Sequence, residues 1–188
     1  MSYDVKAVLQ WLTSEGGLEE KLIEEFRGYH IFTEDDLQFS TYYHIRKFFA
    51  RKGVDDEEYY RAYNKQYLKN SSQYGKYPDL TIWRNDRRTI LIELKQTVAR
   101  TVEEEEILDD IKKLAVIGED MNCIALYTCG LPNKPGEERF LRLSEELKRL
   151  GNDRLIVQRV KVGEAFGEHW DSYEEQLKQL HIARKLHA

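Results

Sequence analysis

Two short apolar runs, Leu80-Thr81-Ile82-Trp83 and Thr89-Ile90-Leu91-Ile92-Glu93-Leu94, lie on either side of a few polar residues and constrain this chain more than any other feature. Both are rich in β-branched and large apolar residues, and Asn85-Asp86-Arg87 between them has turn chemistry, so the pair predicts a β-hairpin. Charged residues frame it. Pro78-Asp79 opens the first strand, and Glu93-Leu94-Lys95 closes the second, with thirteen residues between Asp79 and Glu93.

Side chains alternate across a strand, so Glu93 and Lys95 share a face, Leu94 points away, and the turn folds Asp79 back beside them. For Asp79 to lie opposite Glu93, the loop must be odd in length, for example Asn85-Asp86-Arg87 with Arg84 paired to Arg88. A two- or four-residue loop needs a bulge instead. Two carboxylates and an ammonium then occupy one site. Two hard oxygen donors suit Mg²⁺ or Mn²⁺, which keeps several waters and bridges to phosphate oxygens, and a lysine beside such a water can orient it or offset developing charge. Hydrolysis of a phosphodiester is the natural fit. The alternative is a plain Glu93–Lys95 salt bridge, and Glu-x-Lys also occurs at Glu19-Glu20-Lys21 and Glu146-Leu147-Lys148, where helix is expected and the charge is solvated. Context separates the third copy: charge at the end of an apolar strand is costly unless paired or metal-bound.

Around the hairpin the spacing predicts mostly helix. Asp4 is placed as the N-cap of a helix carrying Val5, Val8, Leu9 and Leu12, and Leu18, Leu22, Ile23 and Phe26 form a second stripe after Gly16-Gly17. Thr33 caps a third helix with Glu34, Asp35 and Asp36 in its first turn, followed by Leu37, Thr41, Ile45 and Phe48 and ended by Gly53. Tyrosines 59, 60, 63 and 67 also have helical spacing, and helix is the reading taken for 55–68. Thr101 and Glu104 make a capping-box pattern for a helix over 101–117, with Ile107, Leu108, Ile111, Leu114 and Ala115 on its buried side. A strand over 123–127, a helix over 137–150, a strand over 155–160 and a helix over 173–186 complete the order. The expectation is one domain over 1–188: packing helices in 1–30, a catalytic core in 33–128 and a helix-strand-helix in 137–188. Its class is α/β, a central mixed sheet flanked by helices.

Charge is arranged unevenly. The chain has 29 Lys or Arg against 34 Asp or Glu, a net −5. From 44 to 100, however, the basic residues number 13 and the acidic ones 7, a balance of +6. A basic middle with acidic flanks fits a polyanion-binding groove, or else a solvated basic face. Eight of the twelve tyrosines fall between Tyr42 and Tyr77, interleaved with basic residues, which suits base stacking as well as core packing. Cys123 and Cys129 lack metal-ligand spacing, and no Gly-rich phosphate loop or run of ~20 apolar residues is present. No membrane partner and a cytoplasmic location are therefore expected.

Pro78-Asp79, Glu93-Leu94-Lys95 and the helices around them resemble the PD-(D/E)xK phosphodiesterase superfamily, whose core is a helix, a motif-bearing hairpin, a helix and a further strand. The likeness covers about 33–127. Glu34-Asp35-Asp36-Leu37-Gln38 looks like the Glu-x-x-Leu-Gln variant of virus-type replication-repair nucleases. The resemblance implies a restriction-endonuclease-like core in which Asp79, Glu93 and the Leu94 backbone carbonyl hold Mg²⁺ or Mn²⁺ and Lys95 acts on the water. Glu34 assists the metal, with Asp36 as second choice and Gln38 as support, and the 101–117 helix flanks the site. Arg46, Lys47, Lys76, Lys112 and Lys113 are candidate nucleic-acid contacts, although Lys112 and Lys113 are read first as exposed partners of Asp109 and Asp110. No catalytic role is given to the acidic run 103–106 or to Asp109-Asp110.

The function expected is a metal-dependent nuclease, more readily a DNA than an RNA endonuclease, in restriction, phage defence or repair. It would act as a homodimer or with a protein partner. The rival is a catalytically silent, nuclease-like subunit that binds nucleic acid or protein.

Overall fold

Three amphipathic helices begin the chain, and their stripes lie where the spacing puts them. In the computed structural model, which describes residues 4–52, 60–64, 78–96, 104–117, 121–129, 142–143, 145–146, 149 and 153–186, α1 (Val5–Thr13) buries Val8 and Leu12. Helix α2 (Leu18–Arg27) buries Leu18, Leu22 and Phe26. The break between them is set by Gly17, where a Cβ would collide with the Trp11 carbonyl oxygen. Asp4 sits at the N-cap of α1, but its side chain makes no capping hydrogen bond.

The third helix, α3 (Glu34–Lys52), buries Leu37, Thr41, Ile45, Phe48 and Phe49. Its start is a reciprocal cap: the Asp36 backbone N–H donates to Thr33 Oγ1 at 3.1 Å, and Asp36 Oδ2 accepts from the Thr33 N–H at 2.8 Å and the Phe32 N–H at 3.1 Å. Thr33→Ala is expected to cost about 1 kcal/mol of stability, measured by urea denaturation.

Five strands form one sheet in sequence order: β1 (Tyr60–Asn64), β2 (Leu80–Arg84), β3 (Arg87–Lys95), β4 (Asn122–Cys129) and β5 (Leu155–Lys161). The first two junctions are antiparallel and the last two parallel. The sheet is therefore mixed, as expected. Residues 60–64 are strand, which corrects the helical reading: Tyr60 and Ala62 are buried, with Tyr60 stacked on Phe49 at 5.2 Å. The remainder of 55–68, the helix end at Gly53 and the cap at Thr101 lie outside the described residues, as does most of 137–150.

Helix α4 (Glu104–Ile117) makes the crossover between the parallel strands β3 and β4. After β5 come α5 (Val162–Phe166), a single 3₁₀ turn (Gly167–His169) and α6 (Trp170–Leu186). Strand β3 lies between β2 and β4 and is buried on both faces. Ile90, Ile92 and Leu94 join the core of α1, α2, α3, α5 and α6, whereas Leu91 joins Ile107, Ile111 and Leu114 of α4. Cys123, on the α4 side, is an ordinary core residue whose thiol burial pushes up to about 12. No helix among the described residues is long and apolar enough to cross a membrane.

Candidate active site

The hairpin turn decides which residues meet. Arg84 pairs with Arg87, not Arg88, so the loop is the two residues Asn85-Asp86, with φ of 48° and 62°. Positive φ at both central positions is the two-residue hairpin pattern whose twist matches the flanking strands. A bulge then slips the register: Trp83 pairs with Arg88, but Ile82 pairs with Ile90, leaving Thr89 as the extra residue. From there Thr81 faces Leu91 and Leu80 faces Ile92, so one further step along the same register leads to Asp79, just before β2, and Glu93. The bulge corrects an even loop to the alignment expected from the sequence.

Asp79 is held by backbone and side chain. Its Oδ2 accepts from the Leu94 N–H at 2.8 Å, and Gln38 Nε2 donates to its backbone oxygen at 2.9 Å and lies 3.4 Å from Oδ1. Gln38, 4 % exposed, therefore ties α3 to the start of β2. Glu93 is buried at 8 % exposure and pairs with Ala125 on β4. Burial first, then the Asp79 charge, pushes the Glu93 carboxyl up to about 7, against the pull of Lys113.

The helix behind the sheet supplies groups that the sequence reading missed. Lys113, 9 % exposed, pairs with Glu93 Oε1 and lies 3.7 Å from Asp110 Oδ1, so it is neither an exposed partner of the helix acids nor a surface phosphate contact. Lys95 lies 3.4 Å from Asp110, 3.9 Å from Glu106 and 4.0 Å from Glu34. Glu106 and Asp110 are thus parts of the site rather than a solvated run. Their i, i+4, i+7 spacing with Lys113, one residue ahead of Ile107, Ile111 and Leu114, was the available signal.

Other expected residues separate. Asp36 is spent on the α3 cap. Glu34 accepts the Gln96 N–H at 3.4 Å and faces Lys95, so it supports the lysine rather than joining the two carboxylates. Arg46 and Lys47 lean on Tyr42 and Tyr43, with the cations 5.9 Å and 5.3 Å from the ring centres, and Lys112 is exposed. Lys76 lies outside the described residues.

The donor set fits a hard divalent cation. Glu93 Oε2 is buried and has no hydrogen-bond partner among the described residues. Asp79 is close enough to raise the Glu93 carboxyl, and the Leu94 carbonyl is on the same strand. No group of three or more His, Cys, Asp or Glu positioned for a metal occurs among the described residues. Asp79 and Glu93 are two hard oxygen donors, of the kind Mg²⁺ takes together with several waters.

The raised Glu93 carboxyl has a consequence for stability. Between its ordinary 4.5 and about 7 the folded protein binds the proton more tightly than the unfolded chain does, so stability falls as pH rises through 7. In metal-free buffer, Glu93→Gln is expected to flatten that decline, as read from melting temperatures at pH 5.5 and pH 8. A parallel pair of curves is the contrary result.

No protein-family model matches this sequence, and no curated protein matches it.

Proposed function

We propose that this chain is a metal-dependent phosphodiesterase with a restriction-endonuclease-like core, acting on DNA as an endonuclease. The observation that carries the proposal is the bulged hairpin register, which sets Asp79 beside a buried Glu93 carrying an unpartnered oxygen. A plain Glu93–Lys95 salt bridge does not account for it, because Glu93 pairs with Lys113 and Lys95 lies among Glu34, Glu106 and Asp110.

Asp79, Glu93 and the Leu94 carbonyl would hold Mg²⁺ or Mn²⁺, which supplies Lewis acidity at the phosphodiester and a water of lowered pKa. Gln38 and the Leu94 N–H fix Asp79 before substrate arrives, so little rearrangement is needed. The Lys95 ammonium, steadied by its three carboxylate neighbours, orients the attacking water and offsets charge that develops on the phosphate oxygens. Glu34 acts through Lys95 as a positioning residue.

One observation favours the silent binding subunit: the Lys113 ammonium already neutralises Glu93. Incubating the protein with supercoiled plasmid and with single-stranded DNA in Mg²⁺, Mn²⁺ or EDTA separates the two readings. Cutting in metal and not in EDTA is expected, whereas intact substrates in all three conditions contradict the nuclease. Lys95→Ala is expected to cut about 10²-fold more slowly. It should still bind Mn²⁺, as a calorimetric titration would show.

A further inference from the structure

The outer side of α3 carries side chains that have no part in the chemistry above. Phe39 is 67 % exposed, and Tyr43, one turn further on, is 46 % exposed. Leaving both rings in water forgoes the burial that Leu37, Ile45, Phe48 and Phe49 of the same helix obtain. Cations stand beside them. From Leu37 to Lys52 the helix has four Lys or Arg and no Asp or Glu. Two of the four, Arg46 and Lys47, precede its last turn and so lie too far in to serve the helix dipole.

The rings are held at their rims. Lys47 Nζ donates to the Tyr43 hydroxyl at 3.3 Å and is 5.3 Å from the ring centre. Arg46 Nη1 donates to the Tyr42 hydroxyl at 3.2 Å, with the guanidinium carbon 5.9 Å from that ring's centre. Each cation is thus nearer the hydroxyl than the middle of the ring. His44 meets the Tyr43 ring edge-on, at 5.1 Å and 72°, which limits how far that ring turns and how much freedom it loses when covered. Exposed aromatic faces with cations at their rims make a surface suited to planar bases on a phosphate backbone.

We infer that Phe39 and Tyr43 stack unpaired bases of a single-stranded polynucleotide, with Lys47 at its phosphates. This deepens the proposed function and rests on its nucleic-acid reading, since α3 also supplies Gln38, which holds Asp79. A single strand is preferred to a duplex on spacing. Residues four apart on a helix are separated by about 6 Å along its axis, whereas successive bases of a duplex strand are about 3.4 Å apart. Bases on both rings must therefore be spread from each other, as only an unpaired strand allows. A protein partner is disfavoured because the surface offers cations beside its rings rather than an apolar patch alone.

The test is equilibrium binding in EDTA, where no cleavage complicates it, of a fluorescein-labelled single strand of about 20 nucleotides and of its duplex, read by anisotropy over a range of KCl concentrations. Phe39→Ala/Tyr43→Ala, Phe39→Trp and Lys47→Ala are compared with the wild type, and melting temperature confirms that each folds. The wild type should bind the single strand more tightly than the duplex. The double variant is expected to bind the single strand at least about tenfold more weakly, with an unchanged slope of log affinity against log salt and an unchanged duplex affinity. Phe39→Trp should keep the wild-type affinity, and Lys47→Ala should make the single-strand slope shallower by about 0.7, the loss of one phosphate contact. A double variant that binds the single strand as the wild type does, or that loses both DNAs equally, overturns the inference. So does a wild-type protein that binds neither DNA but self-associates through Phe39 and Tyr43, as light scattering would show. If the wild type binds single strands through these rings yet never cuts, the nuclease proposal fails and this one stands; if it cuts in Mg²⁺ while the double variant binds normally, the reverse holds.

Discussion

Asp79→Asn is expected to lower Mg²⁺-dependent cleavage by about 10³-fold without unfolding the protein. The fold should survive because the asparagine carboxamide retains an oxygen to accept the Leu94 N–H, the bond Asp79 Oδ2 makes at 2.8 Å, and Gln38 still has the residue-79 carbonyl at 2.9 Å. What disappears is the negative charge. Lewis-acid stabilisation of a phosphodiester transition state is worth several kcal/mol, and each 1.36 kcal/mol is tenfold in rate. A second readout moves with it. Burial is the larger cause of the raised Glu93 carboxyl and the Asp79 charge the next, so Asp79→Asn should bring the Glu93 midpoint down from about 7, followed by NMR of the side-chain carboxyl. An unchanged cleavage rate with a lowered midpoint would show that Asp79 sits beside Glu93 but takes no part in chemistry.

The other large effect is expected at Lys113. Lys113 is 9 % exposed and its ammonium pairs with a glutamate that is 8 % exposed, so Lys113→Met leaves the Glu93 carboxylate buried without its cation. Breaking one half of a buried pair costs about 3–5 kcal/mol, because the remaining charge keeps its desolvation penalty. The sign with pH follows from the Glu93 carboxyl. At pH 8 that group is charged in the wild type and the full loss is expected, whereas at pH 5.5 it is protonated and the loss shrinks. Urea denaturation at the two pH values measures both. Glu93→Gln/Lys113→Met should recover most of the stability at pH 8, and an equal loss at both pH values would mean that Lys113 stabilises through Asp110 or packing instead.

The parts of this architecture that were legible in sequence are those governed by local periodicity. Leu18, Leu22 and Phe26 can face one way only on a helix, and the apolar run through Ile90, Leu91 and Ile92 is too short for anything but a buried strand. Thr33 was legible as a cap because the carboxylates follow it in the first turn, although which of them closes the cap was not. Glu34 and Asp36 are equally favoured by the helix N-terminus, and only the chain entering from Phe32 turns Asp36 back to Thr33 and frees Glu34 toward Gln96. Strand β1 was misread because tyrosine spacing fits helix and strand alike, and pairing with β2 decides between them. The loop parity left two solutions, an odd loop or a bulge, and the positive φ available to Asn85 and Asp86 selects the second. Lys113, Glu106 and Asp110 were hidden for a different reason. A run of charge on a helix looks solvated until the sheet beneath it presents charges of its own.

The claim on which the rest depends is that Asp79 and Glu93 together bind a divalent cation. Calorimetric titration of the metal-free protein with Mn²⁺ at pH 8, with Asp79→Asn and Glu93→Gln in parallel, tests it directly. The account predicts saturable binding by the wild type that Mg²⁺ competes away, and at least a tenfold loss of affinity in each variant. Binding that is absent from the wild type, or equally strong in both variants, would contradict it and leave Lys113 as the cation this site was built to hold.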